Sequence, residues 1–265
     1  MSRRSPLVTV MVNAAYKAAR RLARDFGEVE QLQVSRKGPA DFVSSADHKA
    51  EETLVEELRR ARPNFGFLLE EGGTVAGSDS SNRWIIDPLD GTTNFLHGVP
   101  HFAISIGLER DGKMFAGVVY DPLRDEMFTA EAGGGAYLNS RRLRVSARDQ
   151  MSEALIATGM PFKGRKSHPE YPAMLEAVTG SAAGVRRFGS AALDLCYVAA
   201  GRYDGFWEFA LSPWDIAGGL VILREAGAMV SDVAGGDTMM ETGDILASNG
   251  RLHEDLRRLL AEAAK

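Results

Sequence analysis

A single cysteine in 265 residues, Cys196, excludes an internal disulfide and suits a reducing compartment. It sits in the apolar run from Ala191 to Val198, which reads as a buried helix and argues against a catalytic thiol. Charge of one sign is lacking too. With 36 acids against 31 bases the net charge is −5, so no global field draws the chain to nucleic acid or a membrane surface. No apolar run is long enough to cross a bilayer. Arg3 and Arg4 ahead of the stretch from Leu7 to Val12 imitate a secretory leader. That stretch is short, however, and Lys17, Arg20, Arg21 and Arg24 follow at helical spacing. An amphipathic helix from about Pro6 to Phe26 is the expectation. Repeats, long linkers and low-complexity tracts are absent. The five histidines, among them His97, His101 and His168, show no ligand spacing and read as surface or loop residues. Without a His/Cys cluster a zinc site has no donor set. What remains is an ordinary globular composition, 25% charged and 45% hydrophobic. It is expected to be soluble and cytoplasmic.

Against this background one stretch stands out, Trp84-Ile85-Ile86-Asp87-Pro88-Leu89-Asp90-Gly91-Thr92-Thr93-Asn94-Phe95. An apolar strand runs into two carboxylates three residues apart, and Pro88 bars regular helix or sheet between them. Two close carboxylates repel, and a hard divalent cation with oxygen ligands relieves the repulsion. Gly91 permits close backbone approach, and the amides of Thr92 and Thr93 open a short helix that could face an anion. A plain turn would also explain Asp-Pro-Leu-Asp-Gly. Two further acidic ends weigh against that. A second apolar strand, Phe65 to Leu69, ends in Glu70-Glu71-Gly72-Gly73. Far downstream, Ser212-Pro213-Trp214-Asp215-Ile216-Ala217-Gly218-Gly219 places Asp215 at the start of a long apolar helix. Singly, these read as a solvated loop and as an acid complementing a helix dipole.

The order of elements divides the chain in two. A helix is expected over Ser45–Arg60. From Phe102 to Leu138 a strand meander is expected, turning at Asp111-Gly112, Asp121-Pro122 and Gly133-Gly134-Gly135. Arg141, Arg142 and Arg144 read as a solvated basic turn. From Glu153 onward, strands alternate with helices: 154–158, 169–178, 185–188, 191–200, 204–208, 214–226, 228–232 and 245–248. A meander-based half, about 1–150, is thus followed by an alternating half, about 151–265.

The two acidic motifs around Asp87 and Asp215, in their order and separation, resemble those of the inositol monophosphatase family of magnesium-dependent, lithium-sensitive phosphatases, over about Asp41 to Asn249. The resemblance implies an α+β fold, a layered αβαβα sandwich forming one compact unit over 1–265, with the acidic ends meeting between its halves. It implies two or three Mg2+ ions. Glu70, Asp87 and the Leu89 carbonyl would hold the first; Asp87, Asp90 and Asp215 the second; Glu70 would reach a weaker third through water. Thr92, oriented by Asp47, would align the attacking water. The amides of Gly91 and Thr92 would hold phosphate, with Asp90 contacting the substrate through its remaining oxygen. The alcohol side would face Gly189-Ser190-Ala191, Glu208 and Asp215, and a carboxylate such as Glu208 can accept two vicinal hydroxyl protons.

The chain departs from the family pattern where Leu69 replaces a usual glycine before Glu70, and where Gly72-Gly73 stand in place of serine or threonine. These changes make Glu71 an alternative ligand. A basic stretch from Lys163 to His168 borders the expected substrate side or forms a surface loop. The expected reaction is release of phosphate from inositol 1-phosphate or a related polyol or sugar phosphate. Alternatives with the same chemistry are 3′-phosphoadenosine 5′-phosphate, histidinol phosphate and fructose bisphosphate. Another alternative is a non-catalytic role, since some bacterial family members act as RNA-polymerase-associated regulators. The sequence itself gives no sign of RNA-polymerase or nucleic-acid association, and a homodimer is expected.

Overall fold

Ser5 caps the first helix, α1 (Pro6–Phe26), its Oγ accepting from Val8 N at 3.1 Å, and Pro6 opens the first turn. The buried residues Leu7, Val8, Met11, Val12, Ala15, Ala18, Ala19 and Leu22 recur at helical spacing and form one stripe. The computed structural model describes residues 4–28, 34–38, 41–161 and 168–265. Lys163 to Ser167 of the basic stretch, and Arg3, therefore lie outside the described residues.

A hairpin of β1 (Val34–Gly38) and β2 (Asp41–Ser44) leads into α2 (Ser45–Ala61), which packs along α1. Together α1 and α2 cover one face of an eight-stranded sheet. Its strands are β3 (Phe65–Leu69), β4 (Gly73–Val75), β5 (Asp79–Asp90), β6 (Ala103–Arg110), β7 (Lys113–Asp121), β8 (Glu126–Glu131), β9 (Gly135–Leu138) and β10 (Arg141–Arg142). Their order is β10-β9-β8-β7-β6-β5-β3-β4, with only β3 and β5 parallel. The meander and its three turns are as expected. Arg141 and Arg142 instead pair with Leu138 and Tyr137 as an edge strand, which suits charged residues, because charge on an edge discourages further pairing.

Between β5 and β6 lies the short helix α3 (Thr92–Leu96). The second half supplies β11 (Leu155–Thr158), α4 (Tyr171–Ser181), β12 (Gly184–Arg186), α5 (Ala191–Ala199), β13 (Gly205–Glu208), α6 (Pro213–Ala226), β14 (Ala228–Ser231), α7 (Met239–Thr242), β15 (Ile245–Asn249) and α8 (His253–Ala263). Its sheet runs β12-β11-β13-β15-β14. Helices α5 and α6 pack between the two sheets, while α4 and α8 pair on the outer face of the smaller one. The layers are thus α1/α2, sheet, α5/α6, sheet, α4/α8. Both faces of β6 are covered, so residues 103–108 are buried without alternation. Sequence reading missed α8, although Leu252, Leu256 and Leu260 recur every fourth residue and are fully buried. Among the described residues no helix is long and apolar enough to cross a membrane.

Glycines set how deeply α6 sits. A Cβ on Gly117 would lie 2.2 Å from the Gly218 carbonyl oxygen, and one on Gly107 2.6 Å from Ala217 Cβ. On the other side, a Cβ on Gly219 would lie 2.7 Å from Leu195 Cδ1 of α5. Ala217-Gly218-Gly219 is therefore the point where α6 is wedged between β6–β7 and α5. This wedge carries Asp215, half a turn earlier, to the end of β5. Gly117→Ala aims a methyl at backbone that cannot rotate away, and is expected to cost about 3 kcal/mol. On a chain of this size that is about 10 °C in melting temperature. A thermal melt within a degree or two of wild type would refute the wedge.

Candidate active site

Trp84, Ile85 and Ile86 are fully buried in β5, which emerges between β3 and β6 with Asp87 and Asp90 at its end. The strand continues through Pro88, contrary to the expectation that proline would stop it. It does so through a bulge. Asp87 pairs with Ser105 and Asp90 with Ala103, so two residues of β5 stand against one of β6. Asp87 Oδ1 accepts from Leu89 N at 2.9 Å, which tightens the bend. Asp215 enters from α6, held by a bond from Ser212 N to its Oδ2 at 2.8 Å.

Asp87, Asp90 and Asp215, all buried, each offer a carboxylate oxygen within 4.8 Å of the others, the one such acidic group among the described residues. Burial first, then the charges of Glu70, Asp90 and Asp215, push the Asp87 carboxyl well above the usual carboxylate range. Burial and Asp215 push Asp90 up to about 7, against hydrogen bonds that favour its charged form. Glu70, at the end of β3, lies within hydrogen-bonding reach of Asp87, but is not one of the three mutually close acids. Its amide donates to Ile86 O at 3.2 Å, holding it beside β5. Glu71 is not one of the three either: its amide donates to Glu51 Oε2 at 2.9 Å, and its carboxylate lies 4.0 Å from His48 Nδ1. The two departures from the family pattern fit each other. A Cβ on Gly72 would lie 3.0 Å from Leu69 Cδ1, so the glycine leaves room for the leucine.

Gly91 has φ +99°, and a Cβ there would lie 3.1 Å from His101 O, so the turn into α3 requires glycine on both counts. The first bond of that turn is Phe95 N to Gly91 O, so the Gly91 and Thr92 amides lie ahead of the helix ladder. Thr92 Oγ1 lies 3.0 Å from Asp47 Oδ1 and 3.0 Å from Leu89 O. Its one proton serves one acceptor at a time. Asp47 itself is fully buried.

The second half closes on Asp90. Ser190 Oγ donates to Asp90 Oδ2 at 2.6 Å, and Ala192 N donates to the same oxygen at 2.7 Å. Ser190 occupies the N-cap of α5 but spends its hydroxyl on Asp90, so a carboxylate a hundred residues away satisfies the helix amide. Asn94 adds a second tie, its Nδ2 donating to Phe188 O at 2.7 Å and lying 2.8 Å from His101 O. Sequence reading named the stretch 189–191 but not Ser190 as the partner of Asp90; the signal was a serine before an apolar helix. Glu208 ends β13, half-buried. Asp194, which sequence reading passed over, is buried in α5 near both Glu208 and Asp90. Burial, then those two charges, push its carboxyl well above the usual range.

His101 and His168 are buried, not surface residues, as is His253. His101 packs against Phe188 and Tyr197, and burial together with Arg124 lowers its pKa to about 4, so it stays neutral. His168 stacks on Phe209 with ring centroids 4.4 Å apart. Their burial comes from partners distant in sequence, which spacing cannot reveal.

Three buried, mutually repelling carboxylates with only oxygen donors fit a hard divalent cation. The model of the inositol monophosphatase family matches residues 3–265. An inositol-1-monophosphatase of Rhizobium meliloti is 57% identical over 97% of this chain and 97% of its own. The Nus factor SuhB of Vibrio cholerae is 45% identical over 93% of this chain and 92% of its own. The crystal structure of extragenic suppressor protein suhB from Bartonella henselae superposes with a TM-score of 0.94 at 55% identity, covering 97% of this chain and 98% of that one.

Proposed function

The chain belongs to the inositol monophosphatase family and is a phosphomonoester hydrolase, and from that premise we propose that it releases phosphate from inositol 1-phosphate or a related polyol or sugar phosphate with Mg2+ as cofactor. The observation that carries this reading is the convergence of Asp87, Asp90 and Asp215 from β5 and α6 on one buried point. Glu70, Asp87 and the Leu89 carbonyl would hold one ion, and Asp87, Asp90 and Asp215 another. Bound there, Mg2+ would supply charge neutralisation on the phosphoryl oxygens and would make a bound water more acidic than bulk water.

The chain's own groups do the rest. Thr92, anchored by Asp47, orients the attacking water through its hydroxyl oxygen. The Gly91 and Thr92 amides receive the phosphate. Ser190 and Ala192 pin one oxygen of Asp90 and leave the other facing the site. Ala191 and Gly189 line the alcohol side, where Glu208 and Asp215 accept hydroxyl protons. We take the two halves to fold as one unit, since residues of both sheets share the core around α5 and α6. A homodimer belongs to the same reading, with exposed Val99, Leu123 and Phe188 as apolar contacts, as does a cytoplasmic location.

The test is phosphate release from inositol 1-phosphate, fructose 1,6-bisphosphate, histidinol phosphate and 3′-phosphoadenosine 5′-phosphate, with and without Mg2+. Release should be Mg2+-dependent and led by the inositol ester. Release led by another ester would overturn the substrate, and none at all the chemistry. Relatives named Nus factor support a second reading, a role in transcription. Capture of RNA polymerase by an Asp87→Asn variant would support it, because binding would then stand without turnover.

A further inference from the structure

Strands β11 and β13 run parallel with Thr158 opposite Trp207, so the next residues along each, Gly159 and Glu208, stand side by side. A Cβ built on Gly159 would lie 1.8 Å from Glu208 Cδ and 2.0 and 2.1 Å from its two oxygens. The whole carboxyl group therefore occupies the space that any other residue at 159 would fill. The backbone does not demand glycine here, since Gly159 is not among the residues with positive φ. Its peptide is fixed in place: Thr158 Oγ1 donates to Gly159 O at 3.1 Å and lies 3.2 Å from the Tyr171 hydroxyl, which is also buried. The missing side chain serves the carboxylate and not a turn.

The geometry points to Gly159 as a positioning residue that lays the Glu208 carboxylate across the end of β11, and so sets the preference for substrates whose alcohol carries adjacent hydroxyls. This rests on the reading of Glu208 as the hydroxyl acceptor. The three atoms a methyl at 159 meets first all belong to the far end of a flexible side chain, so the fold has an inexpensive response: Glu208 moves to another rotamer. Staggered wells lie about 120° apart, and the carboxylate is then carried away from the site. Losing a hydrogen bond to a charged group weakens binding by about tenfold or more.

The experiment is steady-state kinetics with Mg2+ on the wild type, Gly159→Ala, Glu208→Ala and the double variant. Each is assayed on inositol 1-phosphate and on phenyl phosphate, which has no hydroxyl beside its ester. Gly159→Ala should raise KM for inositol 1-phosphate about tenfold with kcat unchanged, and leave phenyl phosphate kinetics and melting temperature as in wild type. It should add nothing in the Glu208→Ala background, because the group it displaces is already gone. A normal KM for Gly159→Ala, where Glu208→Ala raises it, overturns the positioning role alone. A normal KM for Glu208→Ala overturns the hydroxyl reading and the inference with it. Equal losses on both substrates mark a structural effect and also overturn the inference.

Discussion

Asp87→Asn is expected to abolish phosphate release while raising the melting temperature of the metal-free protein. The two effects have one cause. Asp87 is buried beside Glu70, Asp90 and Asp215, and their charges crowd it. An asparagine removes one of those charges but keeps an oxygen for the 2.9 Å bond from Leu89 N, so the bend survives. Relief of repulsion should add about 1–2 kcal/mol to stability above neutral pH, the usual trade between a strained site and its scaffold. Turnover should fall by about a thousandfold or more, since a ligand shared by both proposed ions contributes several kcal/mol of charge stabilisation. Mg2+-dependent phosphate release and a thermal melt in EDTA check both halves. Near-normal release would overturn the shared-ligand assignment. A lowered melting temperature would show Asp87 holding the fold together, contrary to the repulsion argument.

What was legible in the sequence was local. The bend at Asp87-Pro88-Leu89-Asp90-Gly91, the strands feeding it and the helix after Pro213 are written in turn residues and apolar runs a few positions long. Periodicity alone placed α1, and resemblance supplied the order of layers. What was not legible depends on residues that meet only after folding. Ser190 reads as an ordinary cap until Asp90 arrives to accept its hydrogen bond. Gly72 reads as a loop residue until Leu69 and Glu51 pack to within 3.0 Å of where its Cβ would be. His101 looks exposed between Pro100 and Phe102, and is buried because Phe188 and Tyr197 come from the other half. Glycines at 107, 117, 159 and 218 look like flexibility in a sequence. In the fold each marks a place where another group needs the volume. Leu252, Leu256 and Leu260 were a local signal left unread.

Raising the pH from about 5 to 8 is expected to lower the melting temperature of the EDTA-treated protein by about 10 °C, and Mg2+ to restore most of it at pH 8 but little at pH 5. The sign follows from Asp90, whose carboxyl is raised from the ordinary 3.8 to about 7, first by burial and then by Asp215. The unfolded chain releases this proton near pH 4 and the folded chain near pH 7. Between those values the folded state holds more protons, so stability falls as pH rises, and above about pH 7 the loss is complete. A gap of about three pKa units is about 4 kcal/mol. Asp87 is shifted the same way. His101, lowered to about 4, works in the opposite direction, adding stability as pH climbs from about 4 to 6.5. The informative quantity is therefore the difference between the wild type and Asp90→Asn, in which the His101 contribution cancels. Asp90→Asn should be the more stable at both ends of the range, by about 4 kcal/mol at pH 8 and by less than half of that at pH 5. Ser190→Ala should do the reverse of Asp90→Asn at pH 8, because it removes a bond that favours the charged form of Asp90. A divalent cation binds the deprotonated carboxylates and must displace protons at low pH, hence its larger effect at pH 8. Parallel melting curves for wild type and Asp90→Asn across this range would mean that Asp90 is already charged in the metal-free fold, and that the three carboxylates are held apart by something other than protons.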